Sequence, residues 1–262
     1  MSHHDLDVVA HNREAWNREV EKDNPWTRPV SPEQIAAASR GDWSVVLTPA
    51  KPVPRDWFGR LEGLRVLCLA SGGGQQAPIL AAAGARVTAL DNSPRQLARD
   101  EEVARREGLA LALELGQMTD LSRFGDQSFD LVFHPVSNLF VPDVRPVWRE
   151  VARVLASGGA LLAGFANPAL FLFDVGAEER GEIVVRYALP YSDLTSLTPE
   201  EFDRRRAALE PLEFSHSLEE QIGGQLEAGL ALTALFEDGF PGHTIDAWMP
   251  SFIATRSVRQ RR

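Results

Sequence analysis

Three consecutive glycines, Gly72-Gly73-Gly74, lie between the apolar run Val66-Leu67-Cys68-Leu69 and a helix-like stretch, and Asp91 ends the next apolar run. A turn without side chains lets a ligand approach the backbone and tolerates positive φ, and the N–H groups opening the helix favour a polar or anionic group. Alone, such a run equally describes a tight turn. A carboxylate roughly twenty residues further on has the spacing at which dinucleotide folds meet ribose hydroxyls. Together the two features specify a nucleotide-bearing ligand better than either does. Asn92-Ser93-Pro94 also reads as the cap of the next helix, so Asp91 can serve both the cap and the ligand.

The elements that must hold these residues follow from hydrophobic patterning. From residue 64, short apolar runs alternate with helix-length amphipathic segments, the pattern of βα units around a mainly parallel sheet. Strands are predicted at 65–70, 85–90, 110–115, 129–133 and 159–165, and helices at 75–83, 94–107 and 143–155. Near Asn167 the rhythm breaks into an insertion, 167–217, expected to carry substrate contacts, with a strand-like run at 182–189 and a charged helix at 199–209. A helix at 218–228 and two strands, 230–236 and 251–258, follow, the strands joined by a Gly- and Pro-rich turn that allows antiparallel pairing. Residues 1–61 hold four of the six tryptophans and read as an N-terminal, partly helical extension or lid. Helices are expected there at 11–21 and after the Ser31 cap with Pro32 in the first turn. Residues 62–262 form the main domain.

Composition narrows the classes of function. The 262 residues can bury a full core without disulfides or metal. The single cysteine, Cys68, excludes an internal disulfide framework and suggests a reducing, cytoplasmic setting. No run is long and apolar enough for a membrane span, and the opening residues are polar, so neither membrane nor export is expected. A formal net charge of -10 disfavours nucleic acid as partner. The basic clusters 204–206 and 256–262 read as a solvated helix face and a frayed tail. His3-His4 lack companion ligands, and His216 and His243 are expected at the surface. No metal site is foreseen, and a homodimer is admitted by nothing more than the absence of contrary signals.

The segments VLCLASGGGQQ, ARVTALDNSPRQL, LGQMTDL, SFDLVFHPVSN and VWREVARVLASGGALLAGF, in that order, resemble the class I S-adenosylmethionine-dependent methyltransferases. The resemblance implies a Rossmann-like α/β fold: a seven-stranded, mostly parallel sheet with helices on both faces and the last strand antiparallel. It implies S-adenosyl-L-methionine as cofactor, S-adenosyl-L-homocysteine as product, and a small-molecule acceptor as partner. The glycine turn, Ala70, Ser71, Gly72 and Gly74, would hold the methionine end. Asp91 would hold the ribose and Gln117 and Met118 the adenine, with Asn92 and Gln96 as further cofactor contacts. His134 and Asn138, at the start of the substrate side, would also contact the cofactor, and Trp16 would close over it. Two positions depart from the family: Cys68 stands where an acid is usual in the first strand, and Ala70 where the first glycine is usual. The cofactor amino group would then turn to the carbonyls of Ala70 or His134, or to the extension. Gln117 replaces a frequent acid but keeps an acceptor oxygen.

Methyl transfer from a sulfonium starts from an activated donor, so positioning can supply much of the acceleration, about 7–11 kcal/mol. Where the acceptor arrives protonated, His134 is the expected base, since a strand-end histidine titrates near neutrality; the alternative is a histidine that only hydrogen-bonds structure. Trp16, Asn17 and Trp26 could form a lid that excludes water, or could simply staple the extension down. The absence of an Asn-Pro-Pro-aromatic tetrad at 134–137 argues against methylating nucleobase amino groups. Two other functions compete: an NAD(P)-dependent oxidoreductase, disfavoured because the glycines are out of register with G-x-G-x-x-G, and a noncatalytic S-adenosylmethionine-binding protein.

Overall fold

The computed structural model describes residues 6–260, so His3, His4 and the last two arginines lie outside the described residues. Helix α1 (Val8–Glu21) starts where the Asp7 carboxylate accepts the Ala10 N–H. Helix α2 (Pro32–Ser39) opens with the expected cap, reinforced by Gln34 reaching back to the Ser31 N–H. The alternation then runs β1 (Arg65–Leu69), α3 (Gln76–Ala82), β2 (Arg86–Asp91), α4 (Pro94–Glu107), β3 (Leu111–Leu115), β4 (Phe129–His134), α5 (Arg145–Val154) and β5 (Leu155–Ala166). After it come α6 (Val175–Glu179), α7 (Asp193–Ser196), α8 (Pro199–Ala207), α9 (Gly224–Glu227), β6 (Leu230–Asp238) and β7 (Phe252–Arg259).

The seven strands form one sheet in the order β3-β2-β1-β4-β5-β7-β6. β1 to β5 pair in parallel, and β7 inserts antiparallel between β5 and β6. The order reverses beside β1, which lies between β2 and β4. Alternate residues of the inner strands serve opposite faces, so both must be covered. Val66, Cys68, Leu131 and Phe133 face a core shared with α2, α3 and α4, whereas Leu67, Leu69 and Val132 face α5 through Val147, Trp148 and Val151. The extension belongs to the first of these cores: Ile35, Val45, Leu47, Val53 and Trp57 pack there with the strand residues.

Several expectations are corrected. Residues 182–189 make no strand; Val185 forms one isolated bridge with Phe173, and Val184 and Val185 stay exposed with no ladder to join. The expected helix at 218–228 is present, but its first part, Glu219–Gly223, is π-helical before it runs into α9. Arg205 is not a solvated charge but sits against Asp193, Glu210 and Glu213. The supposed frayed tail is strand β7 as far as Arg259, with Arg256 donating to the Trp57 carbonyl. His216 is buried, its Nε2 donating to the Asn138 carbonyl at 3.1 Å, and burial pushes its pKa down.

Candidate active site

A cavity of about 290 Å³ opens at the carboxyl ends of β1, β2, β3 and β4, over the point where the strand order reverses. Open α/β sheets bind ligands at such a point because neighbouring loops diverge there and leave a crevice. Ala70 follows β1, Asp91 ends β2, Gln117 and Met118 follow β3, and Pro135 and Val136 follow β4; all six line the cavity. Ser71, Gly72, Asn92, Gln96 and Trp16 line it too. Nine of the positions expected from sequence therefore line one cavity.

The glycine turn works differently from the expectation. Its three N–H groups are used internally: Gly72 donates to Asp91 Oδ2 at 2.9 Å, Gly73 to the Gln96 carbonyl at 3.0 Å, and Gly74 to Asp100 Oδ1 at 3.1 Å. None of these is left to point at a ligand. Side chains are excluded by the protein's own packing, since a Cβ on Gly72 would lie 2.6 Å from Gln96 Cβ. One on Gly73 would lie 2.7 Å from the Trp26 carbonyl. Gly73 and Gly74 also take φ of +104° and +73°, conformations that favour glycine. Ala70, at the position where glycine is usual, is itself held at φ +48°.

Asp91 is fixed by two N–H donors, Gly72 on one oxygen and Ser93 on the other at 2.9 Å. Each oxygen retains a lone pair for a further donor. Burial raises its pKa, and the N–H groups oppose the shift. Behind the turn, fully buried Asp100 from α4 supplies a carboxyl that sequence reasoning missed. Burial pushes its pKa well up, the charge of Asp91 adds to that, and Oδ2 has no partner. Asp100 also raises the pKa of the buried Cys68 thiol, chiefly displaced upward by desolvation.

Two further polar atoms lack partners at the cavity wall, Ser71 Oγ and Gln96 Oε1, on residues only 6% and 5% exposed. Buried polar atoms left unpaired cost about 1–3 kcal/mol each. A ligand with hydroxyl and amino groups, such as S-adenosylmethionine, would relieve that cost, and Gln117 and Met118 line the same cavity. Asn92 lines the cavity, but its side chain ties down α1, donating to the Val9 carbonyl and accepting from Arg13.

Gly74, His134 and Asn138 are not brought to the cavity. Gly74 backs onto Pro29 and the Arg99 carbonyl. His134 shares strand parity with Val132, so it projects towards α5, where its ring meets Trp148 edge-on at 6.0 Å. It is fully buried; Nδ1 donates to the Leu69 carbonyl at 2.9 Å, Nε2 has no partner, and desolvation lowers its pKa to about 4. A ring so placed does not serve as base for an acceptor in the cavity. Asn138 is also fully buried and pairs its amide with Gln221.

Sequence reasoning missed the opposite end of the cavity, where Val46, Leu47, Pro49, Phe240 and Phe252 gather. The segment around Leu47 is pinned by its carbonyl accepting the Val136 N–H, and by Gln76 accepting the Val46 N–H. Trp26 reaches across to Phe240 edge-on at 6.0 Å, while Trp16 meets Phe140 at 5.2 Å. Both tryptophans of the expected lid thus line the cavity, but Asn17 instead accepts the Ser93 hydroxyl. Among the described residues, no cluster of His, Cys, Asp or Glu is arranged to hold a metal ion, and no helix is long and apolar enough to cross a membrane.

Comparisons with known proteins agree with this geometry. Residues 67–163 match the family described as a methyltransferase domain. The methyltransferase YbaJ of Bacillus subtilis is 48% identical over 252 residues, covering 96% of this chain and 98% of that one. Among solved structures, an S-adenosylmethionine-dependent methyltransferase from Mesorhizobium loti superposes with a TM-score of 0.59 at 20% identity, covering 78% of this chain and 95% of that one. The Burkholderia thailandensis 1,6-didemethyltoxoflavin-N1-methyltransferase gives 0.59 at 14% identity, covering 97% and 89%. The two structures share the fold, and the near-full-length relative decides the family over an oxidoreductase. The chain belongs to the class I S-adenosylmethionine-dependent methyltransferases.

Proposed function

We propose that the cavity binds S-adenosylmethionine across the β1/β4 switch point and methylates a small-molecule acceptor at its apolar end. The observation that carries this reading is the conjunction, on one wall, of a doubly anchored Asp91 with the unpaired Ser71 Oγ and Gln96 Oε1. When bound, S-adenosylmethionine would supply a methyl group already activated by its sulfonium charge. The protein's part is positional. Asp91 orients the ribose, Ser71 and Gln96 receive polar groups beside the turn, and Trp16 and Trp26 keep water out from the extension side.

The toxoflavin-precursor methyltransferase among the structural neighbours acts on a small heterocycle, which supports a small-molecule acceptor here. A cytoplasmic setting fits the single, buried Cys68. Calorimetry with S-adenosylmethionine and S-adenosylhomocysteine tests the reading. Both should bind the wild-type chain, and failure of both to bind would remove it.

A further inference from the structure

The cavity wall carries very little charge. Among the described residues that line it, Asp91 is the only side chain that ionises in the physiological range; there is no Lys, Arg, His, Cys, Tyr or Glu. Asp91 lies at the cofactor end, where it accepts the Gly72 N–H of the turn. The far end is faced by Trp26, Val46, Leu47, Val136, Phe240 and Phe252. Its polar side chains are partly committed: the Thr48 hydroxyl donates to Asp238 at 2.7 Å, and Gln76 Oε1 accepts the Val46 N–H at 3.0 Å. His134 projects to the other face of the sheet, and His243, whose ring packs on Phe240 at 4.2 Å, sets its Nδ1 3.4 Å from Glu178 and does not line the cavity.

An ion entering that end would give up its water without meeting a counter-ion, a penalty that burial of apolar surface does not offset. A neutral planar molecule would instead gain apolar contact and the aromatic edges and faces offered by Trp26 and Phe240. The same lining offers no general base. An acceptor whose attacking atom carries a proton in place of a free pair, such as an alkylammonium ion, would find nothing there to remove it.

We infer that the acceptor is an uncharged, aromatic small molecule whose attacking atom holds its lone pair on arrival. The inference rests on the cofactor reading above. The new bond forms from that pair to the methyl carbon, the carbon–sulfur pair leaves with sulfur, and any proton released by the methylated acceptor goes to water. An aromatic nitrogen or sulfur acceptor of low basicity satisfies this; an aliphatic amine or a carboxylate does not.

Three bicyclic aromatics of similar size test the inference by calorimetry on the full chain at neutral pH, with and without saturating S-adenosylhomocysteine. They are quinoline, which is neutral, 2-naphthoate and 2-naphthylmethylammonium. Quinoline is expected to bind at least about tenfold more tightly than either ion. Equal or tighter binding of either ion, or no binding of quinoline, overturns the inference. Val136→Glu should move the preference to the ammonium probe; an unchanged order would put the probe elsewhere and also overturn it. Binding of S-adenosylhomocysteine alone decides the cofactor reading separately, while the probe order without it still decides this one.

Discussion

The two ends of the cavity are built from different parts of the chain. The cofactor end comes from three successive strand ends: Ala70 to Gly72, Asp91, and Gln117 with Met118. Asp91 there is held by the backbone N–H groups of Gly72 and Ser93. The apolar end is assembled from segments around residues 9–49, 135–141, 240 and 252, which meet only because the extension and the β6/β7 loop pack over the same sheet. One end is rigid because its geometry is local and hydrogen-bonded. The other depends on long-range packing, so its shape can change through single side chains without disturbing the turn. A fixed donor site beside a variable acceptor wall suits an enzyme class in which one cofactor serves many substrates.

The sharpest test of that division is Asp91→Ala. Two hydrogen bonds to a carboxylate are worth about 3–6 kcal/mol, so affinity for S-adenosylhomocysteine should fall more than a hundredfold. Because Gly72 and Ser93 also lose an acceptor, Asp91→Asn with an intact melting transition serves as the partner variant, and it should lose affinity as well. If both bind normally, the cofactor end has been misassigned.

The next effect separates His134 from either end. Its folded-state pKa of about 4 lies below the ordinary value of 6.5. The unfolded chain therefore takes up a proton first as pH falls: stability from the neutral, buried ring is present above pH 6.5 and is lost as pH drops towards 4. A shift of that size corresponds to about 3 kcal/mol. Urea unfolding across that window should be flatter in His134→Gln than in the wild type by about this amount. A roughly hundredfold fall in turnover in the same variant, the size of a lost general base, would restore a catalytic role.

Legibility followed the same division. The βα alternation, the order of motifs and Asp91 were readable because each is written in consecutive residues. Which face His134 takes was not, because it depends on strand parity against α5; the inward-facing Val132 two residues earlier was the available signal. The glycines were read correctly as a tight turn but for a different reason, since their neighbours are Gln96, Trp26 and Pro29 of this chain. Phe240 and Phe252 carried no local signal at all, as their role exists only once β7 pairs with β5 and β6. Asp100 was hidden in a charged helical stretch whose buried side became visible only when α4 packed behind the turn.

At the apolar end, Phe240→Ala should raise KM for the acceptor about tenfold, since truncating a partly buried aromatic in a binding pocket costs about 1–2 kcal/mol. Affinity for S-adenosylhomocysteine should change less than about threefold, because the ring lies away from Asp91 and the turn. Steady-state kinetics beside calorimetry reads both numbers. Equal losses in the two would mean that the ends are coupled through Trp26, which touches both the turn and Phe240.

The smallest effect is expected at Ala70, the point where the cofactor end carries strain. A left-handed alanine costs roughly 1–2 kcal/mol, and φ +48° places Ala70 there. Glycine removes that cost but loses about 0.5–1 kcal/mol of chain entropy. Ala70→Gly should therefore stabilise the fold by about 0.5–1 kcal/mol, a rise of roughly 1–4 °C in Tm for a chain of this size. Because Ala70 also lines the cavity, a gain in stability with unchanged cofactor affinity would mean that the strain is incidental to binding. A gain in stability with weakened affinity would mean that the left-handed alanine shapes the floor on which the cofactor sits.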